Sequence, residues 1–286
     1  MQLKFHVGPE SLHLSADSRG LVINLVWLSM ALAAFFKGTL TADGTLPALS
    51  AALTQHKVSW VCLLIAAWHV LTGTRGTITR ADCMALAPAW ILALSGWGSW
   101  PWLGLAVSLF AIRQLTPEMD GQARTGLSMG IAVAMHEACV PILAMLAGDT
   151  VLQLDALVAG LLAGIFVQGI TLDATTLHGT NGHSVVLVWG CSSFSQIGNV
   201  VLFCWALCSL AGIRYVIRTR TLALCLMTTA LMAVVFNTIR LSLMASDASL
   251  FQFIHDGPGA TLFRLTLLSL ATLIAYGYHR QCHSHH

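Results

Sequence analysis

Long apolar runs alternate with short polar loops along almost the whole chain. An α-helix rises about 1.5 Å per residue, so crossing a hydrocarbon core of about 30 Å takes roughly 20 apolar residues. The pattern predicts membrane spans at about 21–36, 58–73, 83–97, 101–112, 127–146, 193–213, 221–243 and 260–278. One further apolar run, at 152–171, is rich in glycine and alanine and contains Asp155 and Gln168.

The basic loops predict the orientation of these spans, because short loops rich in arginine face the cytoplasm. The three basic loops contain Arg75 and Arg80, Arg113 and Arg124, and Arg214, Arg218 and Arg220. If residues 152–171 crossed the membrane, the second and third loops would lie on opposite sides. The pattern therefore predicts about eight crossings, with both ends of the chain inside and residues 152–171 as a re-entrant or surface-lying segment outside.

Composition places the chain among integral membrane proteins. Of its 286 residues, 56% are hydrophobic and only 9% are charged, whereas a soluble domain carries roughly a quarter charged residues. The depletion extends along the whole chain, which predicts one all-α transmembrane domain over residues 1–286, with a polar cytoplasmic leader at 1–20 and a cytoplasmic tail at 280–286. The leader does not resemble a cleaved signal peptide. No basic tract suggests a nucleic-acid partner.

Only one of the eight cysteines stands out. Six lie inside apolar runs, where cysteine behaves as a small buried hydrophobe. Cys204 and Cys208 share a helix face, for which packing is the favoured interpretation. The chain has no C-x-x-C pair, so neither a disulfide framework nor a structural zinc site is expected. Cys191 alone lies at a span boundary, between a short alternating run (Val185–Trp189) and a cluster of hydroxyls.

Helix length places three polar residues at one depth. Arg240 follows Arg220 by twenty positions, or about 30 Å of helix, and Cys191 precedes Arg214 by a similar distance. His255 opens the last span, whose inner end is marked by Arg280. These anchors predict that Cys191, Arg240 and His255 all lie at the outer face of the membrane.

Their chemistry suits acyl transfer. A cysteine at a helix start favours its thiolate, which is the nucleophilic form. Histidine transfers protons near neutral pH, and an arginine donates oriented N–H groups to an oxyanion. From the residues alone the structural alternatives stay open: Cys191 as a packing residue, Arg240 as a membrane anchor and His255 as a solvated loop residue.

The order of these motifs resembles the exosortase/archaeosortase family. The matching residues are Cys191-Ser192, Asn237-Thr-Ile-Arg240 and His255-Asp-Gly-Pro-Gly259. The similarity extends over residues 150–279 and includes the short run before the cysteine. The family commonly reads Cys-Ser-Gly where this chain reads Cys191-Ser192-Ser193.

The resemblance implies a membrane-embedded cysteine transpeptidase of the bacterial cytoplasmic membrane, with no cofactor or metal. Cys191 would be the nucleophile, Arg240 the transition-state stabiliser and His255 the acid/base, with Ser192 and Asn237 in support. Its partners would be membrane-anchored proteins with a C-terminal sorting signal of the PEP-CTERM kind, in a system linked to exopolysaccharide production. Two alternatives remain: a cysteine protease that hydrolyses without transfer, and a non-enzymatic transporter or assembly factor for polysaccharide export.

Other polar residues are secondary candidates. The pair His136-Glu137 lies within a predicted span, where ionisable residues are often functional, and it is predicted to lie near a substrate groove. His178 and His183 compete with His255 as the base. The histidines of the tail are interpreted as solvated rather than as metal ligands; they are His279, His283, His285 and His286.

Overall fold

The computed structural model describes residues 18–43, 56–76, 78–94, 99–115, 119–179, 182–210 and 219–284. Several predicted features lie outside these ranges: residues 1–17 of the leader, Arg214, Arg218, His285 and His286. Of His283, the backbone alone is described.

Helices make up most of the described chain, and the described part of every predicted span falls on one of them. The helices are α1 (Ser18–Asp43), α2 (Lys57–Gly73), α3 (Arg80–Leu94), α4 (Trp100–Leu115), α5 (Gly121–Phe166), α6 (Ser193–Leu210), α7 (Thr219–Ser246), the short α8 (Ala248–Phe251) and α9 (Pro258–Ser284). A π-helical turn, Gln252–Asp256, joins α8 to α9.

Four of the described helices are long and apolar enough to cross a membrane, which identifies the chain as a helical membrane protein. The four stretches are Gly121–Ile165, Ser193–Leu210, Arg220–Ser246 and Pro258–Gln281. The apolar parts of α1 and α2 are shorter, and α3 and α4 have only 15 and 16 residues. Helix length therefore supports four crossings, and the predicted count of about eight is not supported by it.

Helix α5 corrects one predicted boundary. The sequence predicted a span at 127–146 and a separate segment at 152–171, but residues Gly121–Phe166 form one helix of 46 residues. The Gly148-Asp149-Thr150 stretch between the two runs does not interrupt the helix. Asp149 and Thr150 are exposed there, so they keep their polar groups outside the protein core.

The contacts of α5 show that this helix is bent. His136 lies against Gly198, since a Cβ at that glycine would be 2.3 Å from the imidazole Cε1, and Asp155 accepts a hydrogen bond from the Ser193 backbone N–H at 2.7 Å. A straight helix would separate the two α5 residues by about 28 Å, whereas five residues of α6 span only about 7.5 Å. The side chains of His136 and Asp155 are too short to bridge the difference between these two distances. Pro141 lies in the interval and removes a helical hydrogen bond.

A small antiparallel sheet precedes α6. Its strands are β1 (Thr171–Asp173), β2 (Thr176–His178) and β3 (Ser184–Val186), in the order β1-β2-β3. Leu177 pairs with Val185, and both are buried, while the neighbours of Val185 on β3 are exposed. Together with Leu187 they join the buried cluster that contains Cys191. Of the predicted alternating run Val185–Trp189, Val185 and Val186 lie in strand β3, whereas Trp189 belongs to the turn that follows.

Close backbone contacts hold α5 against α2. A Cβ added at Gly126 would lie 2.5 Å from the Ala66 carbonyl oxygen, and one at Gly73 would lie 2.5 Å from the Ala123 nitrogen. Small residues at such crossings let helix backbones approach within a membrane. These glycines fix the position of the first half of α5 in the bundle.

A buried ion pair joins α1 to α3. Arg19 donates to both carboxylate oxygens of Asp82, at 2.9 and 2.7 Å, and the Asp82 side chain is only 1% exposed. Asp82 also accepts from the backbone N–H of Thr79 at 2.9 Å, while the Thr79 hydroxyl accepts from the Asp82 backbone N–H at 3.2 Å. This reciprocal pattern caps the start of α3.

Replacing Asp82 with alanine should destabilise the fold by about 3 kcal/mol, because it leaves the Arg19 charge half-buried without its partner and removes a cap. Denaturant unfolding of the detergent-solubilised protein measures this loss. Asp149→Ala, at an exposed position of α5, serves as the control and should change the free energy of unfolding by less than about 0.5 kcal/mol. Equal stability of the two variants would contradict a structural role for the ion pair.

Candidate functional site

Cys191 lies in the turn between the sheet and α6. The turn spans Trp189–Cys191, and the Cys191 N–H donates to the Val188 carbonyl oxygen at 2.8 Å. Ser192 follows, fully buried, and its hydroxyl accepts from the Ser195 N–H at 3.1 Å, so Ser192 caps the N-terminus of α6. The Cys191 sulfur thus lies beside a helix start, where the dipole favours an anion.

Asn237 and Asp155 hold this turn in place from two other helices. The Asn237 amide donates to the Cys191 carbonyl oxygen at 2.8 Å and to the Ser193 hydroxyl at 3.2 Å. Asp155 on the second half of α5 accepts from the Ser193 N–H at 2.7 Å. Three helices therefore meet at the residues that follow the cysteine, and all of these contacts involve atoms other than the sulfur.

A cleft opens beside this turn. It encloses about 430 Å³, including its open mouth, and its polar lining comes from Gln196, Asn237, Arg240 and Arg264, with Gly190 at the edge next to Cys191. The apolar lining consists of Phe236, Ala260, Phe263 and Leu267. The cleft therefore combines two guanidinium groups, two amides and an apolar wall.

Arg240 has an unused donor in this cleft. Its Nε is buried, and no described residue accepts a hydrogen bond from it. Arg240 interacts electrostatically with Cys191 and with Arg264, which repels it. A buried donor without a partner costs about 1–3 kcal/mol, and such costs are typical of functional sites. The arrangement suits an anion or a developing oxyanion in the cleft.

Like Cys191, His255 is not among the residues that line the cleft. It is exposed on the π-helical turn, its Nδ1 is 2.7 Å from the Asp256 carboxylate, and its ring stacks on Phe251 with centroids 4.9 Å apart. Within the part of the chain that the structure describes, no hydrogen bond joins His255 to Cys191. Ile254 belongs to the same buried cluster as Cys191. With Nδ1–H donating to Asp256, the neutral ring keeps Nε2 as its proton acceptor.

Close steric contacts explain the two glycines of the His255 motif. A Cβ at Gly257 would lie 2.8 Å from the Phe253 carbonyl oxygen, and one at Gly259 would lie 2.6 Å from the same atom. These contacts require glycine at both positions. On the N-terminal side, Asp247 caps α8, and hydrogen bonds from the Ser249 hydroxyl and then from the backbone hold the pKa of Asp247 below its usual range.

His178 and His183, the alternative candidates for the base, contact the sheet or the loop before β3 and do not contact the cleft. His178 Nδ1 is 2.7 Å from the Ser184 hydroxyl, across the pair of strands β2 and β3. His183 Nε2 is 3.2 Å from the Met244 carbonyl oxygen and attaches the loop before β3 to the end of α7. Neither lines the cleft.

The pair His136-Glu137 belongs to a second polar cluster at α2, α5 and α6. Glu137 accepts from the Ser59 hydroxyl at 2.5 Å, and its other oxygen is 3.1 Å from His56 Nδ1. His136 interacts with Asn199 through a side-chain hydrogen bond. The predicted location near a groove does not match the cleft beside Cys191, because none of these residues lines it.

The sequence did not single out three residues that complete the site: Asp155, Asp256 and Arg264. Asp256 has a local signal, because it directly follows His255. Arg264 also has one, since an arginine two turns into the last span is unusual for a lipid-facing position. Asp155 reaches Ser193 only because α5 is bent, so no local signal indicates its role.

Comparison with known proteins finds no relative of this chain. No family model, curated protein or solved structure matches the chain. The case for a function therefore depends on the geometry of the cleft and on the motif order.

Proposed function

We propose that this chain is a membrane-embedded cysteine peptidase or transpeptidase of the exosortase type. The observation that supports the proposal is the cleft beside the Cys191 turn, where Asn237 and Arg240 meet residues of α6 and α9. The motif order alone indicates only that these residues share a depth; the hydrogen bond from Asn237 to the Cys191 carbonyl oxygen is a further observation in support of one site. Asn237 and Arg240 of the α7 motif line this cleft, and Gly190, the residue directly before Cys191, lies at its edge.

The proposed reaction begins with attack of the Cys191 thiolate on a substrate peptide carbonyl. The oxyanion of the tetrahedral intermediate accepts hydrogen bonds from Arg240, whose Nε has no described partner. The C–N bond then breaks, and the leaving amine takes a proton from the protonated His255. The acyl group stays on the sulfur as a thioester, which an acceptor amine or water resolves. Asp256 orients the imidazole through Nδ1.

The proposed substrates are exported proteins anchored by a C-terminal sorting signal. Such a signal has a short motif, a transmembrane helix and a basic end, so its cleavage point lies at the membrane surface. The proposed setting is the bacterial inner membrane, with the cleft on the outer side and about eight crossings over a single domain, residues 1–286. In this arrangement residues 152–190 lie outside, residues 191–279 carry the catalytic helices, and both chain ends are cytoplasmic.

Reporter fusions test this topology. Fusions at Gly182 and Gly257 should report the outer side, and a fusion at Arg218 the cytoplasm, because the basic loops remain inside. Paired reporters that are active on opposite sides of the membrane give the measurement. A cytoplasmic signal at Gly182 would overturn the proposed topology, including the outer position of the cleft.

Co-expression with a candidate anchored substrate tests the activity itself. The substrate should lose its C-terminal helix only in the presence of this chain. Detection of the product with an added acceptor amine indicates transpeptidation, and a free carboxylate indicates hydrolysis. A substrate that stays full-length with every sorting signal tried would count against the enzyme.

A transporter or assembly factor is the second candidate, and the His56–Glu137 cluster favours it. Ionisable groups within spans often mark ion pathways. Glu137→Gln keeps the shape of the side chain but removes its charge. If polysaccharide export depends on Glu137 and not on Cys191, the transporter interpretation is the correct one.

A further inference from the structure

Three cysteines from α6 and α7 meet at the end of the bundle away from the cleft. Cys204 and Cys208 are one turn apart on α6, and Cys225 faces them from α7. The three Sγ atoms all lie within 4.8 Å of one another, and the sulfurs of Cys204 and Cys225 are 3.6 Å apart. All three residues are buried, and none is in a disulfide. Two helices thus bring three sulfur ligands to one point.

The spacing of the sulfurs matches a small metal ion. A trigonal ion with metal–sulfur bonds of about 2.3 Å holds its ligands about 4.0 Å apart. The separations of 3.6 Å for one pair and at most 4.8 Å for the others are compatible with this value. The Thr229 hydroxyl lies 3.3 Å from the Cys204 sulfur and 2.9 Å from the Cys225 carbonyl oxygen, so one polar group of α7 also contacts the cluster. The remaining surroundings are apolar and come from Leu207, Leu222, Leu226, Ala275 and Ile274.

We propose that Cys204, Cys208 and Cys225 bind one Cu(I) ion. Soft thiolate ligands select Cu(I) or Zn(II), and structural zinc sites are almost always completed by a fourth ligand. The cluster identified among the described residues supplies three sulfurs, a number that Cu(I) accepts. Binding forms three Cu–S bonds, and the protons of the thiols that ionise pass to water. No electron is transferred, because the ion enters as Cu(I).

The position of the site suggests what the ion does. Cys208 is two residues from the end of α6 and Cys225 is five residues after Arg220, whereas Cys191 and Arg240 lie near the opposite ends of the same two helices. Cys191 and Cys208 are separated by about 25 Å of helix. A shared ion would join α6 to α7 at one end while the cleft forms at the other. In the proposed topology this end is cytoplasmic, where thiols stay reduced.

Anaerobic titration of the full-length protein in detergent tests the site. The reduced protein is titrated with Cu(I) in competition with a coloured Cu(I) chelator, and the copper retained per chain is measured. Wild-type protein should retain one equivalent that the triple variant Cys204→Ala/Cys208→Ala/Cys225→Ala loses. Cu(I) should also raise the melting temperature of the wild type, because a ligand that binds the folded state stabilises it.

Two control variants keep this test decisive. Cys62→Ala removes a buried thiol elsewhere in the core and should keep the equivalent. Cys208→Ala leaves two sulfurs and should lose it, which answers the question even if the triple variant fails to fold. Equal copper retention in Cys208→Ala and wild type would overturn the proposal. Thiol-dependent retention of Zn(II) with no retention of Cu(I) would overturn the choice of ion.

Discussion

Replacing Cys191 with alanine should abolish processing of an anchored substrate while the protein accumulates to its normal level. The variant removes the proposed nucleophile, so no thioester forms and uncleaved substrate collects in the membrane. The structural cost should be small, about 1 kcal/mol. The turn is held through the Cys191 N–H and carbonyl oxygen, and through Ser192 and Ser193, and none of these hydrogen bonds uses the sulfur.

Mass spectrometry of the substrate provides the measurement. Alanine at Cys204, Cys208 or Cys225 should leave substrate processing intact apart from modest packing losses, because these residues lie at the other end of the helices. His255→Ala should accumulate uncleaved substrate as Cys191→Ala does, since the leaving amine would lack its proton donor. Trimmed substrate in the Cys191→Ala strain would remove Cys191 as the nucleophile and favour a non-enzymatic role.

The helices could be predicted because membrane crossing imposes a length and an apolar surface on each of them. The predicted span 58–73 differs from α2 (Lys57–Gly73) by one residue, and 101–112 lies wholly inside α4 (Trp100–Leu115). The number of crossings is harder to predict from the sequence. Several apolar helices are shorter than a bilayer requires, and a pattern of apolar residues describes a span and a buried helix equally well.

The continuity of α5 could not be predicted from local pattern. Gly148-Asp149-Thr150 looks like a loop, because glycine and short polar residues favour turns. In the structure the helix continues through this stretch, and a Cβ added at Gly148 would lie 3.8 Å from the ring of Trp189. The bend brings Asp155 to α6, so the role of that residue depends on packing between distant parts of the chain.

The sequence predicts the depth of the candidate site residues in the membrane, but not which of them are in contact. Counting helix residues from Arg220 predicted the level of Arg240, and from Arg280 that of His255. Which side chains touch depends on helix order and rotation, which the count does not contain. Hence the hydrogen bond from Asn237 to Cys191 and the cleft shared by Arg240 and Arg264 emerge only from the structure.

The second large effect is expected at Arg240. Arg240→Lys should lower the rate of substrate processing about 100-fold, as loss of one oxyanion donor does in other enzymes. Lysine keeps the positive charge but lacks the planar fork and the Nε donor. Stability should change by less than about 0.5 kcal/mol, because the lost Nε has no hydrogen-bond partner among the described residues and the repulsion from Arg264 is retained.

This combination of outcomes separates a catalytic arginine from a membrane anchor. Arg280→Lys, at an exposed position near the other end of α9, is the matched control and should process substrate normally. An anchor needs only its charge at the membrane surface, so lysine would serve equally well at Arg240. Near-normal processing by Arg240→Lys would therefore reduce Arg240 to an anchor. A loss of folded protein in parallel with activity would indicate a structural role instead. Slow processing by a fully stable protein is the result that an oxyanion donor in the cleft predicts and a membrane anchor does not.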